Sequence, residues 1–363
     1  MGLRIVTEKR VRVPVWLEVL VPVGAVVGAL IAGAILLALL GVSPLAAYAA
    51  MLRGSLGDWY GISETLVKAV PLTLAGLAVA LSFRMQVWNI GAEGQLYMGA
   101  LAAAAAVRFA FVDNSLVMFC LMAGAAALAG GTWGAFAGYL KARWNVNEII
   151  TTLMLNYIAI HVVDYFVYGP WKDPASLGFP MTAPFPAAAR LPQFFDSRVH
   201  LGIFFAVLFA VLLHIVFRWT KWGFEVRVIG ANPKAARYAG IDFLRNAVLV
   251  MFVSGAVAGF SGMCEMAGLQ GRLQHGFSPG YGYTAIIVAW LARLNPLAIM
   301  GVAFLLGALL VGGDTLQVVM RLPLSSIQVL QGLILFAVLG AEFFLTYRVR
   351  FVRSAPDSPK EAN

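Results

Sequence analysis

The sequence is poor in charge, in cysteine and in every catalytic signature that local spacing can reveal. Only 12% of its 363 residues are charged, against about 25% in an ordinary soluble domain. That excludes a water-soluble enzyme and a disordered chain, because a water-facing surface needs more charge than this. No G-x-x-x-x-G-K-[ST] loop occurs, so the chain lacks the ordinary cradle for ATP. H-E-x-x-H, G-x-S-x-G and clustered cysteines are absent too, which leaves an enzyme, a metal site or a cofactor bound by this chain without support. Cys120 and Cys264 sit in apolar runs and read as small buried hydrophobes. The net charge of +9 comes without any basic-aromatic motif, so nucleic acid is not the implied partner.

What the chain has in abundance is apolar length. Hydrophobic residues make up 61% of it, and a bilayer core about 30 Å thick needs roughly 20 residues per helix. No formal charge falls between Val19 and Leu52, a run too long for a signal-peptide core. Further spans are predicted at 65–83, 91–111, 115–140, 148–168, 199–217, 246–268, 281–293, 296–318 and 325–346. The predicted fold class is an all-α polytopic membrane protein of about ten transmembrane helices. An even count puts both termini on one side. With the N-terminus inside, most basic residues gather on the inner face, from Arg4 and Lys9 through Arg84, Lys141, Arg143, Arg218, Arg227 and Arg245 to Arg348, Arg350 and Arg353. Cytoplasmic loops carry such an excess. Residues 1–18 are then a cytoplasmic N-terminal segment, 19–347 the transmembrane domain in contact with lipid, and 348–363 a cytoplasmic tail.

Two connections are long. Residues 169–198 carry Pro170, Pro174, Pro180, Pro184, Pro186 and Pro192. Proline fixes φ and removes an amide donor, so an extended outer loop without regular helix is predicted. Residues 218–245 fall inside. Asn232 suits an N-cap, Pro233 the first helical position and Gly240 a left-handed C-terminal cap, so a helix of about two turns is predicted between them. Ala235, Ala236 and Ala239 give it a small-residue face, flanked by Arg237 and Tyr238. Such a helix either links two spans or docks in a groove on a partner.

The run Gly230, Asn232, Pro233, Lys234, Ala235, Ala236, Arg237, Tyr238, Ala239, Gly240 and Ile241 resembles the cytoplasmic coupling segment of ABC-importer permeases, in the family that also holds ribose and branched-chain amino-acid permeases. "FRMQVWNIGAEGQLYMGALAA", Phe83 to Ala103, is similar to the F-N-I-G-x-E-G-Q segment of the nucleoside-type branch, with Trp88 where Phe is commoner. "VNEIITTLMLNYIA" from Val146 and "GFSPGYGYTAIIVAWLARLNPLAI" from Gly276 extend the resemblance over most of the chain. The resemblance implies an importer subunit of a bacterial cytoplasmic membrane, with both termini cytoplasmic. It implies a second permease, more readily a different one than a copy, since the chain resembles the larger partner of a two-permease system. It also implies two ATPase subunits that hold ATP and Mg, and an extracytoplasmic substrate-binding lipoprotein.

Two Gly-bearing loops open into apolar helices, at Val87 and at Gly276. They suggest two inverted repeats, spans 2–5 matching spans 7–10, as transporters use. By the span count the first loop lies at the inner face and the second at the outer. A charge at the bilayer centre costs roughly 2.5–3.5 kcal/mol on insertion scales, so each polar group there needs a role. Asn89, Glu93 and Gln95 form a cluster that either lines the substrate path or holds a helix start through backbone amides. Asn156 lies deeper, on the face of Glu148, which reads either as a capping or interfacial group or as a substrate or gating residue. His161 and Asp164, three apart, are expected to pair, while His214 and His275 read as isolated. Glu265 and Asp314 fall near the centre, one expected to line the path and the other to pair with Arg272 or Arg321. Trp88, Tyr97, Phe277, Tyr281 and Tyr283 are either a stacking platform for a flat base or packing. The candidate path residues are thus Trp88, Asn89, Glu93, Gln95, Asn156, Glu265, Phe277 and Tyr281. Gly130, Gly134 and Gly138 predict close helix approach, inside the chain or at a subunit interface.

The function this implies is the permease subunit of an ATP-driven importer of nucleosides or related purine and pyrimidine compounds. A sugar-carrying ABC permease and an ion-coupled secondary transporter are the alternatives. A receptor or scaffold is disfavoured, since the chain has no sizeable soluble domain.

Overall fold

A computed structural model of the protein describes residues 3–9 and 14–353. Among the described residues the regular structure is helical apart from one two-stranded ribbon. Strand β1, Leu3–Lys9, pairs antiparallel with β2, Tyr347–Arg353, so that Leu3 lies opposite Arg353 and Lys9 opposite Tyr347. Between them run α1 (Val15–Leu39), α2 (Pro44–Leu56), α3 (Trp59–Arg84), α4 (Ala92–Ala110), α5 (Ser115–Trp144), α6 (Glu148–Tyr168) and α7 (Gly202–Trp219). Then come α8 (Lys221–Ala231), α9 (Pro233–Tyr238), α10 (Phe243–Glu265), α11 (Tyr281–Leu291), α12 (Pro296–Val319) and α13 (Leu324–Thr346). Among the described residues, 7 helices are long and apolar enough to cross a membrane, or 8 if one bent pair counts as a span. Helix α4 carries Glu93, Gln95 and Arg108, and α11 has only 11 residues, so both fall outside that count. The end of the predicted tail, 354–363, lies outside the described residues.

The chain divides into two compact units. The first takes in the described residues up to 50 and from 313 onward. There α1 packs on α13 with Gly33 against Leu330, and Tyr48 Oη donates to the Leu30 carbonyl at 2.6 Å. The uninterrupted first span expected from Val19 to Leu52 is corrected: the axis turns by 114° between α1 and α2. Gly41 at φ +76° stops α1, and Pro44 fits the first turn of α2.

The second unit, residues 51–312, is built around α3 and α10. The two run antiparallel, with Ser254 Oγ donating to the Ala78 carbonyl at 2.6 Å and Ser261 Oγ to the Pro71 carbonyl at 3.3 Å. Helix α5 lies against α10 through small residues. A Cβ on Gly130 would overlap the Gly255 carbonyl, and one on Gly134 the Met251 carbonyl. The glycine stripe is therefore spent on packing inside the chain. Outward, α5, α6 and α7 expose Leu128, Ile150, Met154, Ile158, Leu208 and Leu212. So continuous an apolar exterior fits lipid rather than water. Cys120 is exposed on this exterior, which corrects its reading as a buried residue, whereas Cys264 is buried.

Residues 169–201 form no regular helix beyond one short turn at Ala187–Ala189. Their amides bond instead to the segment after α10: Thr182 to the Leu273 carbonyl, Phe185 to that of Gly271, Leu191 to that of Ala267, at 2.8, 2.8 and 3.0 Å.

Candidate functional site

Two places in the second unit gather the residues singled out above. The first is a buried junction. After α3 the chain from Met85 to Gly91 turns back into the bundle. Asn89 shapes the turn: it is fully buried, donates to Gln95 Oε1 at 3.0 Å and Ser254 Oγ at 2.9 Å, and accepts from the Gly91 amide at 3.0 Å. Asn156 on α6 clamps the same turn, accepting from the Gly94 amide at 2.8 Å and donating to the Ile90 carbonyl at 2.8 Å. Thr152 Oγ1 takes the Ile90 amide at 3.2 Å. These bonds replace the ones that irregular backbone away from water otherwise lacks.

From the other end of α10 a second segment turns inward, with Gln270 Nε2 donating to the Phe277 carbonyl at 2.8 Å. Helices α4 and α11 therefore start at one point, head to head. Glu93 Oε2 accepts from the Gly282 amide at 2.6 Å across that point. Gly282 comes so close that a Cβ there would overlap the Glu93 amide nitrogen. The Glu93 carboxylate thus faces the positive ends of two helix dipoles. From the junction, α4 leads toward Trp171 and Pro186 of the long loop, and α11 toward Arg84, whose Nη1 donates to the Leu294 carbonyl at 3.0 Å. The two Gly-bearing loops enter from opposite ends of the antiparallel pair α3 and α10 and meet inside, where buried side-chain amides satisfy the turn.

The second place is α9. Asn232 Oδ1 accepts from the amides of Lys234 and Ala235 at 3.0 and 3.1 Å, Pro233 opens the helix, and Gly240 at φ +73° ends it. Ahead of it α8, a helix within what the sequence predicts as a long connection, packs Gly230 against the Arg84 carbonyl. The predicted alanine face is corrected. Ala236 is 2% exposed and packs with Leu81, Met85, Ile229, Ala247 and Met251, while Ala235 and Ala239 point out. Tyr238, 94% exposed, projects beside them with Lys234 and Arg237. Positions 235 and 239 are one turn apart, and 236 falls about 100° round the helix from 235. Ile241 packs partly against the same core.

The remaining candidates divide. Tyr97 packs on Phe277 with ring centroids 4.5 Å apart, and both are buried, as is Tyr281. Trp88 stacks on Trp290 at 5.8 Å, and this pair is partly exposed. Glu265 is buried, with no hydrogen bond to its Oε2 among the described residues. Glu148 pairs with Lys141 at 2.9 Å. The expected pair of His161 and Asp164 is corrected: Asp164 lies 2.7 Å from His275 Nδ1, so His275 is not isolated. Arg272 donates to Met181 Sδ at 2.9 Å. Sequence reasoning missed Thr152, Ser254 and Gly282, and also His200. That residue sits in the long loop, wedged against Gly202 and Gly268, with Nδ1 accepting from the Gly202 amide at 3.1 Å. Burial pushes its pKa down to about 4. Among the described residues, no three His, Cys, Asp or Glu side chains group closely enough to hold a metal ion.

Residues 61–339 match a family described as the permease component of a branched-chain amino acid transport system. The chain is 37% identical to the glucose ABC transporter permease protein TsgB13 of Haloferax volcanii, over 100% of its length and 98% of the relative's. It is 35% identical to the guanosine ABC transporter permease protein NupP of Bacillus subtilis, over 92% and 95%. It is 30% identical to the nucleoside ABC transporter permease protein NupB of Lactococcus lactis, over 81% and 84%.

Proposed function

From the premise that the chain belongs to the branched-chain amino acid transport system permease family, we propose that it is driven by separate ATPase subunits through α9 and carries nucleosides or related purine and pyrimidine compounds. It is a multi-pass membrane permease of the ABC type and not an enzyme. The partners proposed are two ATPase subunits holding ATP and Mg, a second and different permease, and an extracytoplasmic binding lipoprotein. This chain itself holds no cofactor. The location is the cytoplasmic membrane of a bacterial cell with both termini inside. The pairing of β1 with β2, which sets the two ends of the chain side by side, supports a common side for them.

One observation carries the coupling role: α9 is fixed in the core by Ala236 yet leaves Ala235, Tyr238 and Ala239 uncommitted. A push on Tyr238 passes through Ala236 to Met251 of α10 and Met85 beside α3. Those two helices border the junction where α4 and α11 begin. The opposed entry of the two loops, one after α3 and one after α10, supports inverted repeats that rock about Glu93 and Gly282. Asn89, Glu93, Gln95 and Asn156 then hold the pivot, and the half-exposed Trp88–Trp290 pair contacts cargo. Nucleoside cargo is supported by two of the relatives and by the Asn89–Gln95 segment. Sugar cargo is the second reading, supported by the 37% identical glucose permease. A sugar ring is common to both.

The test is cross-linking. In a Cys120→Ser background, Tyr238→Cys should link to the ATPase subunit in membranes of cells making the whole complex. Labelling of that cysteine from outside intact cells, with no link to the ATPase, would overturn the reading.

A further inference from the structure

The lipid-like exterior of the second unit stops partway along α6. This helix has 21 residues, about 30 Å at 1.5 Å per residue, enough to cross a bilayer core once. Near its start it exposes Ile150 and Met154, much as α5 and α7 expose leucines. Beyond Met154 its exposed side chains are Tyr157, Ile158, His161, Tyr165 and Tyr168, and four of these five are rings that carry a polar atom. The four rings stand four, four and three residues apart, which puts them on one face, one turn after another.

An aromatic belt accounts for rings at the end of a span. It does not account for Tyr157 in the middle of the helix, or for His161 one turn farther on. A hydroxyl and an imidazole at that depth need water or a polar partner, because hydrocarbon offers no hydrogen bonds. Toward the long loop the face ends in polar groups: Asp164 lies 2.7 Å from His275 Nδ1, and the His275 ring stands edge-on to Tyr168 with centroids 5.6 Å apart. At its other end Tyr157 lies within electrostatic reach of Tyr283 on α11, whose hydroxyl accepts from Asn156 Nδ2 at 3.3 Å. Trp290, seven residues after Tyr283 and so on the same side of α11, stacks on Trp88. The rings thus continue from the long loop, past the junction, to the partly exposed tryptophan pair.

We propose that this face of α6 is the wall of a water-filled cargo path, along which a heteroaromatic base passes from ring to ring: Tyr168 and His275 first, then Tyr165 and His161, then Tyr157 and Tyr283. Every base has a flat face that an aromatic ring can stack on. The hydroxyl and imidazole tips take hydrogen bonds from a base edge when cargo is present and from water when it is not. Stations about 6 Å apart let a flat ring leave one stack as it meets the next, so that none holds it for long. The cargo class rests on the nucleoside reading above; the exposure of the face to water does not.

The test uses the whole complex with its binding protein in vesicles, in a Cys120→Ser background; Cys264 is buried. Tyr157→Cys and His161→Cys should each react with a charged methanethiosulfonate reagent present on both sides, and guanosine should slow the reaction where glucose does not. Tyr157→Leu should lower ATP-driven guanosine uptake about fivefold, the loss of one stack of about 1 kcal/mol, and Tyr157→Phe, which keeps the ring, should lower it less. The labelling keeps the proposal testable if the leucine variant fails to assemble. No reaction at either cysteine would make the face a lipid contact and overturn the wall. So would cross-linking of Tyr157→Cys to the second permease in place of labelling, which would mark a packed subunit contact. Guanosine uptake equal in the wild type and Tyr157→Leu would overturn the stations and leave the nucleoside reading standing. Accumulation of glucose and not guanosine by the wild type would instead end that reading, and the base stations with it.

Discussion

The junction and α9 are opposite ways of using polar and small residues. At the junction nearly every polar group is committed to the chain itself: Asn89 to Gln95 and Ser254, Asn156 to Ile90 and Gly94, Glu93 to Gly282. At α9 one residue, Ala236, is committed, and the rest of the helix faces outward. The difference teaches that a buried carboxylate inside a span is not by itself a substrate site. It can be the part that lets irregular backbone exist away from water. The surface left uncommitted is the better mark of a contact with something else.

That contrast can be broken by substitution. Ala236→Glu puts a charge into the apolar core, so it should cost about 4 kcal/mol and lower the melting temperature of the purified protein steeply. If the variant melted like wild type, Ala236 would not be the anchor. Gly282→Ala should cost about 3 kcal/mol by overpacking against Glu93, read as loss of folded protein in a detergent melt. An unaffected melt would remove the head-to-head contact.

The long loop supplies a pH test. His200 is buried and neutral, with a folded pKa of about 4 against an ordinary value near 6.5. Between those values the unfolded chain binds the extra proton, so stability rises with pH. The contribution is complete above about pH 6.5 and is lost as pH falls toward 4, by up to about 3 kcal/mol. His200→Gln should flatten that slope, and an unchanged pH–melting curve would contradict the burial. Ala235→Glu should have the smallest effect on stability, within about 0.5 kcal/mol, because the side chain points outward. A large loss of stability there would erase the contrast with position 236.

How much of this was legible in the sequence follows from how local each feature is. The α9 helix could be read because Asn232, Pro233 and Gly240 are its own start and stop signals. Which alanine faces inward could not, since that depends on α8 and α10. The glycine stripe announced close packing, but its partner lies on a helix more than 100 residues away. The His161–Asp164 pair was a local inference that a long-range contact overrode, with His275 111 residues from Asp164. Glu93 and Gly282 are separated by 189 residues, and nothing in either neighbourhood names the other. The break in the first span was different: Gly41 and Pro44 are local stop and start signals for it, but the unbroken run of uncharged residues outweighed them in the sequence reading.

The central claim is that this chain is a gate moved by an attached ATPase through α9. Reconstitute the complete complex with its binding protein in vesicles, and follow ATP-dependent accumulation of labelled guanosine and glucose in wild type and Ala235→Glu. The account predicts uptake of guanosine in the wild type, none by this chain without the ATPase subunits, and continued ATP hydrolysis without uptake in the variant. Uphill transport by this chain alone, or full uptake in the variant, would contradict it.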